Sequence, residues 1–341
     1  MKPAFGSLSR ALAALLLVVL TSNGLRPALA QTPDVPGLTI ATYGKGAGEW
    51  CLYVAQQNKY LEQAKVKLND WLVVFGDPLI VNALISGQAD LAISSTGAIV
   101  PVANGQTDQI VTIGGSEGYP VSLVAPDTIT APAQLIGKTI SLPPNNTSLE
   151  IIGTKQIDLL LGHGKYDSIY SGGNDATHFA LIAGGKAQAV LVNDPVTLDP
   201  SAHLHIIARL NGGQSYFNGP LMASKKFLQA KPDTAIRFLA AFAKGCNYIL
   251  DPKNRVAAVN ILASVTGVSH EACDQFYDFY VAGAQRGHTP PKDARVDEKG
   301  FEATIELMKQ AGVITNKAFV SKTAVDNSYL DKALKLAATL H

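Results

Sequence analysis

From residue 37 onward, short apolar runs bounded by glycines and polar loops alternate with longer stretches whose apolar residues recur at helical spacing. The segment "GLTIATYGKGAGEW" (37–50) reads as a buried strand that opens into a glycine-rich loop and a helix starting near Glu49. The segment "ALISGQADLAISSTG" (83–97) reads as a helix end, a glycine stop, a short buried strand over 90–93 and a loop of three hydroxyls closed by Gly97. Further strands fall at 110–113, 121–125, 206–210 and 221–224. From Asp233 the period is helical, over 233–250, 254–265, 269–284, 297–311 and 327–340. Pro232-Asp233 and Asp251-Pro252 supply start signals for the first two of these.

Two of these patterns occur twice. "GKTISLPPNNTSLE" from Gly137 aligns without a gap on the segment from Gly37, so that Thr139-Ile140 falls on Thr39-Ile40. "ALIAGGKAQAVLVND" from Ala180 aligns on the segment from Ala83 with one inserted residue. The offsets are 100 and 97 residues and the order is the same, as expected of two related α/β halves. Strands alternating with helices make mostly parallel sheets, with ligands bound beyond the carboxyl ends of the strands. With the halves facing each other, loops 44–48, 94–97, 145–148 and 193–194 converge on one cleft. The glycine-rich stretches 114–120 and 211–220 connect the halves and can absorb the rotation of a closing hinge.

The first thirty residues stand outside this pattern. Lys2 and Arg10 precede or open an apolar run over 11–20, and Pro27-Ala28-Leu29-Ala30 supplies a helix breaker and a small-x-small cleavage pattern. Residues 1–30 are therefore expected to be a signal peptide cleaved before Gln31, and the remaining 311 residues to work outside the cytoplasm as a soluble protein. The leader holds three of the 28 basic residues (Lys2, Arg10 and Arg26) and no acid, so the mature chain carries 25 basic against 27 acidic side chains. That balance lacks the basic footprint of a nucleic-acid binder. Cys51, Cys246 and Cys273 show no metal-ligand spacing. Export permits a disulfide, for which Cys246 with Cys273 is the better candidate because both fall on C-terminal helices, leaving Cys51 as a buried thiol; the other reading is that they are packed free thiols.

The converging loops hold the candidate ligand contacts. Ser94, Ser95 and Thr96 donate and accept hydrogen bonds and suit a carboxylate, sulfonate or amide, while Ser95 or Thr96 also fits the cap of a following helix. Asn146, Thr147 and Ser148 open the helix that runs to 161. Thr147 with Glu150 has capping-box spacing, and the free N–H groups at that helix start form an anion site. In loop 44–48, Gly44 lets the backbone approach a ligand, Lys45 can neutralise an anion, and Trp50 either meets an apolar ligand or packs in the core. Asn193 and Asp194 align on Ser95 and Thr96. Asp194 and Glu117, an acid in the first crossover, either hold the hinge or favour a ligand with a cationic or N–H donor group. Tyr119, Tyr216 and Phe217 flank the crossovers and line either the cleft or the hinge. The histidines, including His203 and His205, and the carboxylates form neither a metal set nor a hydrolase motif, so no catalytic residue, metal or cofactor is expected.

In order along the chain, "LYVAQQNKYLEQ", "ALISGQADLAISSTG" with "VANGQ", "LIGKTISLPPNNTS", "ALIAGGKAQAVLVND" and "KKFLQAKPDTAIRFLAAF" resemble the periplasmic substrate-binding proteins of ABC importers. The similarity is to the nitrate/sulfonate/taurine type, related to the thiamine-pyrimidine-precursor binders, and covers about residues 37–285. It implies the type II periplasmic-binding-protein fold: two α/β lobes with mixed sheets, a two-strand hinge, a ligand cleft between the lobes and a helical C-terminal part. Lobe 1 would comprise 31–118 with 215–341, and lobe 2 residues 119–214. The family carries an acid after the glycine stop, which Asp90 keeps and Gln188 replaces. The implied function is capture of a small polar organic ligand, sulfonate-like or pyrimidine-type, by a monomer that delivers it to a permease and an ATPase. Sensing for a receptor kinase and an enzyme on the same scaffold are the rival readings.

Overall fold

The computed structural model describes residues 35–118, 120–172, 175–210, 216–282 and 290–341. The leader, Tyr119 and the first half of the second crossover lie outside the described residues. The strands are β1 (Gly37–Thr42), β2 (Lys67–Val73), β3 (Leu91–Ile93), β4 (Ile110–Glu117), β5 (Val121–Pro126), β6 (Thr139–Leu142), β7 (Asp167–Tyr170), β8 (Ala189–Asn193), β9 (Leu204–Leu210) and β10 (Gly219–Ser224). The first six helices are α1 (Trp50–Gln57), α2 (Tyr60–Gln63), α3 (Asp77–Ser86), α4 (Val100–Ala103), α5 (Ser148–Leu161) and α6 (Asp175–Ala183). They are followed by α7 (Lys225–Ala230), α8 (Pro232–Leu250), α9 (Arg255–Thr266), α10 (His270–Phe276), α11 (Glu298–Gln310) and α12 (Ser328–Ala337).

Two five-stranded sheets result, ordered β2-β1-β3-β10-β4 and β7-β6-β8-β5-β9. Strand for strand they are the same sheet. In each, the central strand of the repeat pairs in parallel with both neighbours, and a single strand runs antiparallel to the rest: β10 in the first sheet and β5 in the second. The chain leaves the first sheet through β4 into β5 and returns from β9 into β10. β4 pairs with β10 and β5 with β9, so in each sheet the strand that leaves lies beside the strand that returns.

The repeat extends to single hydrogen bonds. Asp90 Oδ2 accepts the N–H of Thr39 at 2.9 Å, and Gln188 Oε1 accepts that of Thr139 at 3.1 Å. The return bonds, Asp90 N–H to Thr39 O and Gln188 N–H to Thr139 O, are also matched. An acid and an amide thus satisfy the same backbone donor where a parallel pair begins, which needs an acceptor oxygen and no charge.

The first sheet is covered by the C-terminal helices. On α8, Ala235, Phe238, Leu239, Phe242, Cys246 and Ile249 recur at helical spacing and are fully buried. This face packs on α1 and α12. Gly245 brings α8 against α1, since a Cβ there would stand 2.1 Å from the carbonyl oxygen of Cys51. That approach decides the cysteine chemistry. Cys51 is disulfide-bonded to Cys246, with Cα atoms 4.6 Å apart, and Cys273 is the buried free thiol. The candidate pair Cys246–Cys273, with Cys51 left as a thiol, is therefore corrected; helices 195 residues apart pack closer than neighbours in the sequence. The helix expected over 269–284 is α-helical only to Phe276 and continues as a π-helical turn to Ala282.

Candidate functional site

The carboxyl ends of β1 and β3 and the start of α5 meet around Ser95. Ser95 has extended backbone and its Oγ accepts the N–H of Gly97 at 3.0 Å, capping the turn that leads into α4. The same hydroxyl donates to Asp77 Oδ1 at 2.7 Å. Asp77 is the first residue of α3, and it also takes a short hydrogen bond from the Tyr43 hydroxyl, which in turn accepts the N–H of Ser95. Burial pushes the Asp77 carboxyl upward, opposed by the hydrogen bonds from Tyr43 and Ser95. Gly97 leaves the room this requires: a Cβ there would stand 1.9 Å from Asp77 Oδ2. A groove lined by Pro78, Val81, Asn82 and Val100 reaches Asp77 and Gly97 from the side of α3 and α4.

Ser148 comes to this cluster from the second sheet's side. It is the first residue of α5 and fully buried. Its Oγ accepts the N–H of Gly97 at 3.2 Å, lies 3.2 Å from Ser95 Oγ and donates to Asn218 Oδ1 at 2.9 Å. Asn218 also accepts the N–H of Thr96, and Thr96 Oγ1 donates to the carbonyl of Phe217 at 2.9 Å. Thr147 caps α5 by accepting the N–H of Glu150 at 3.2 Å, while Glu150 Oε2 accepts the N–H of Asn146. The capping-box spacing therefore closes one residue further back than a capping box does. Asn146 has φ of 65° and is exposed.

Loop 44–48 and the end of β4 form a second polar cluster beside the first. Glu49 is 5% exposed, and its Oε2 accepts the N–H of Gly46 at 3.0 Å. Glu117 ends β4 and pairs with Gly219, the chain neighbour of Asn218. Its carboxylate lies over Gly48, where a Cβ would stand 3.1–3.3 Å from the carboxyl atoms. Burial, and then repulsion from Glu117, pushes the Glu49 carboxyl up to about 8; burial alone pushes Glu117 up to about 7.

The remaining sequence candidates are dispersed. Lys45 is exposed and Gly44 is half-buried, its N–H donating to Thr42 Oγ1 at 3.2 Å. Trp50 packs in the core, with its indole N–H donating to the carbonyl of Ala258 at 3.0 Å. Ser94 is buried, 3.5 Å from the carbonyl of Pro220. Asn193 is exposed. Asp194 turns into its own sheet, where Ser122 Oγ donates to it at 2.9 Å and Arg209 Nε at 2.8 Å. Phe217 stacks edge-on against Phe301, and Tyr216 packs in the core of the second sheet. Loops 94–97 and 145–148 thus meet directly and Tyr43 ties the β1 loop to them. Asp194 of loop 193–194 makes its hydrogen bonds with Ser122, Arg209 and Pro120 and not with the other three loops among the described residues. Sequence reasoning missed Tyr43, Asp77 and Asn218. Asp77 had a legible signal as the first-turn acid of a helix after Gly76, and Asn218 as the amide of the second crossover.

The fold recurs among solved structures. The alkanesulfonate-binding protein SsuA from Xanthomonas axonopodis pv. citri, bound to MOPS, superposes with a TM-score of 0.61 at 19% identity, covering 85% of this chain and 98% of that one. A ligand-binding component of an ABC-type import system from Staphylococcus aureus gives a TM-score of 0.67 at 15% identity, covering 87% and 99%. The desulfurization enzyme DSZB gives 0.61 at 16% identity, covering 88% and 99%. No curated protein sequence matches the chain. The profile of the NMT1/THI5-like family matches residues 50–255, well over half of the chain and from α1 to the start of α9, and the protein belongs to that family.

Proposed function

We propose that this chain is the substrate-binding subunit of an ABC importer, exported through a cleaved leader over 1–30. It holds one small polar organic ligand between a lobe of residues 31–118 with 215–341 and a lobe of residues 119–214. The observation that carries this reading is the meeting of Ser95, Gly97 and Ser148 where the carboxyl-end loops of two equivalent sheets face each other. Such a junction makes contacts only when both lobes engage, so a ligand that binds both shifts an open–closed equilibrium. The hydroxyls and the N-terminus of α5 suit an anionic or amide group, a sulfonate-like or pyrimidine-type compound among them. Binding proteins of this fold include those for sulfonates, which supports the class. A permease and a cytoplasmic ATPase complete the importer, and the subunit itself acts as a monomer.

An enzymatic reading draws on the likeness to DSZB. The thiols of this chain are joined or packed away: Cys51 and Cys246 form a disulfide, and Cys273 is packed in the core. Mass spectrometry of the compound that co-purifies with the mature protein identifies the ligand. Small-angle scattering then tests the function, with a smaller radius of gyration expected on adding that compound back. A tight ligand that leaves the radius unchanged defeats the binding-and-closure reading, and turnover of the compound defeats the non-catalytic one.

A further inference from the structure

The protein buries acids in two different ways. Asp194 is buried with a cation of its own, Arg209, and a hydroxyl, Ser122. Glu49, which is buried, and Glu117, which is half-buried, lie together with no cation: among the described residues neither forms an ion pair, and desolvation raises both carboxyls. Glu49 is met by neutral donors alone, the N–H groups of Gly46 and of Glu49 itself and the Thr42 hydroxyl. Glu117 has none among the described residues, and the missing side chain of Gly48 keeps the space before its carboxylate open. A buried charge is ordinarily paired or neutralised, so this arrangement is incomplete by itself.

A second observation points the same way. Tyr53, one turn into α1, is 1% exposed and its hydroxyl has no hydrogen-bond partner. That hydroxyl lies within the field of both Glu49 and Glu117 and next to the N–H of Gly46. Phenol hydroxyls find partners when buried, and one left over beside two carboxyls that lack a cation leaves a place for a ligand group. The position is also right. Glu117 pairs with Gly219, and the adjacent Asn218 bonds Ser148 and Thr96, so the acidic cluster continues the hydroxyl cluster at the same sheet edge.

We propose that Glu49, Glu117 and Tyr53 form a subsite for a cationic or N–H-donating nitrogen of the bound molecule: an ammonium, an amidinium or an amino-heterocycle. The proposal rests on the reading that the cleft holds a small ligand and narrows its class. A nitrogen bearing three hydrogens donates to both carboxylates and to the tyrosine oxygen at once, and one bearing two serves both carboxylates. An uncharged ligand without such a group leaves all three unpaired.

The test uses the mature chain, wild type and with Glu49→Gln, Glu117→Gln or Tyr53→Phe, the fold of each checked by circular dichroism. Calorimetry compares matched probes that differ by one amino group, taurine against ethanesulfonate and 4-aminopyrimidine against pyrimidine. The aminated member of at least one pair is expected to bind tenfold tighter or more, and Glu117→Gln to cut that advantage to within about twofold. Tyr53→Phe removes a hydroxyl with no internal partner, so it keeps the fold and lowers the advantage should a glutamine variant not fold. Equal affinities within both pairs, or an advantage that survives the substitutions, overturn the subsite, whereas compaction with either unaminated probe leaves the binding function standing. If none of the four binds, carbon-13 NMR of labelled glutamate carboxyls decides. Signals of Glu49 and Glu117 that move with methylammonium and not with sodium support the subsite; signals unmoved by both overturn it and leave two carboxyls sharing a proton.

Discussion

Ser148 Oγ lies 3.2 Å from Ser95 Oγ, so the first hydroxyl of a helix on the second sheet meets the cap of a turn on the first. Ser148 also bonds Gly97 and Asn218, which makes it the single side chain with the most bonds across this junction. Ser148→Ala is expected to weaken ligand binding by ~0.5–1.5 kcal/mol for each neutral hydrogen bond lost. It should also enlarge the ligand-free protein in scattering. Calorimetry with the co-purifying compound reads the first effect, and unchanged affinity in both Ser148→Ala and Ser95→Ala would move the site elsewhere.

Gly97 and Asp77 are coupled by space. A methyl at residue 97 would overlap Asp77 Oδ2, so Gly97→Ala must displace the carboxylate from Tyr43 and Ser95. The substitution is expected to cost about 1–3 kcal/mol, as overpacking does. Combined with Asp77→Ala it should cost less than the sum of the two singles, because the clash is gone in the pair. Urea denaturation of the four proteins measures this; strict additivity would contradict it.

The raised carboxyls give the ligand-free protein an unusual pH response. Glu49 and Glu117 rise from an ordinary 4.5 to about 8 and about 7, and the half-buried Asp77 is raised as well. The folded state therefore holds protons that the unfolded chain releases. Their contribution is fully present below the unfolded value and is lost as pH climbs through the folded ones. The melting temperature should fall between about pH 5 and about pH 8.5, and Glu117→Gln should flatten that slope. A wild-type melting temperature that rises over this range would contradict it. An amine probe, which needs the carboxylates ionised, should bind more tightly as pH rises.

The disulfide ties α1 to α8 across 195 residues. Replacing Cys51 and Cys246 by serine is expected to cost about 2–5 kcal/mol, chiefly by releasing the unfolded chain. Mass mapping under non-reducing conditions should find Cys51 linked to Cys246 and Cys273 alkylated only after unfolding. A Cys246–Cys273 peptide would refute the pairing.

Arg209 neutralises Asp194, whose side chain is 1% exposed. Arg209→Met should destabilise by about 3–5 kcal/mol by leaving a buried charge unpaired. Adding Asp194→Asn should recover much of that loss; a double mutant no better than the single would show that Arg209 acts by packing alone.

Much of the architecture was legible in the chain. The repeats from Gly37 and Gly137 and from Ala83 and Ala180 announced two equivalent halves, since strand and helix periods are local properties of apolar spacing. The same alignment matched Asp90 with Gln188, which share one backbone task. It also picked out Ser95 and Ser148, because hydroxyls at a strand end and at a helix start have few local roles besides capping. Only the tertiary structure decided which groups face one another. It turned Asp194 to Arg209, sank Trp50 into the core, and joined Cys51 to Cys246 because Gly245 lets α1 and α8 touch. It also set Glu49 beside Glu117 and Tyr53 without a cation. Side-chain partners across tens or hundreds of residues depend on helix packing and strand order, and no period in the sequence encodes a distance of that kind.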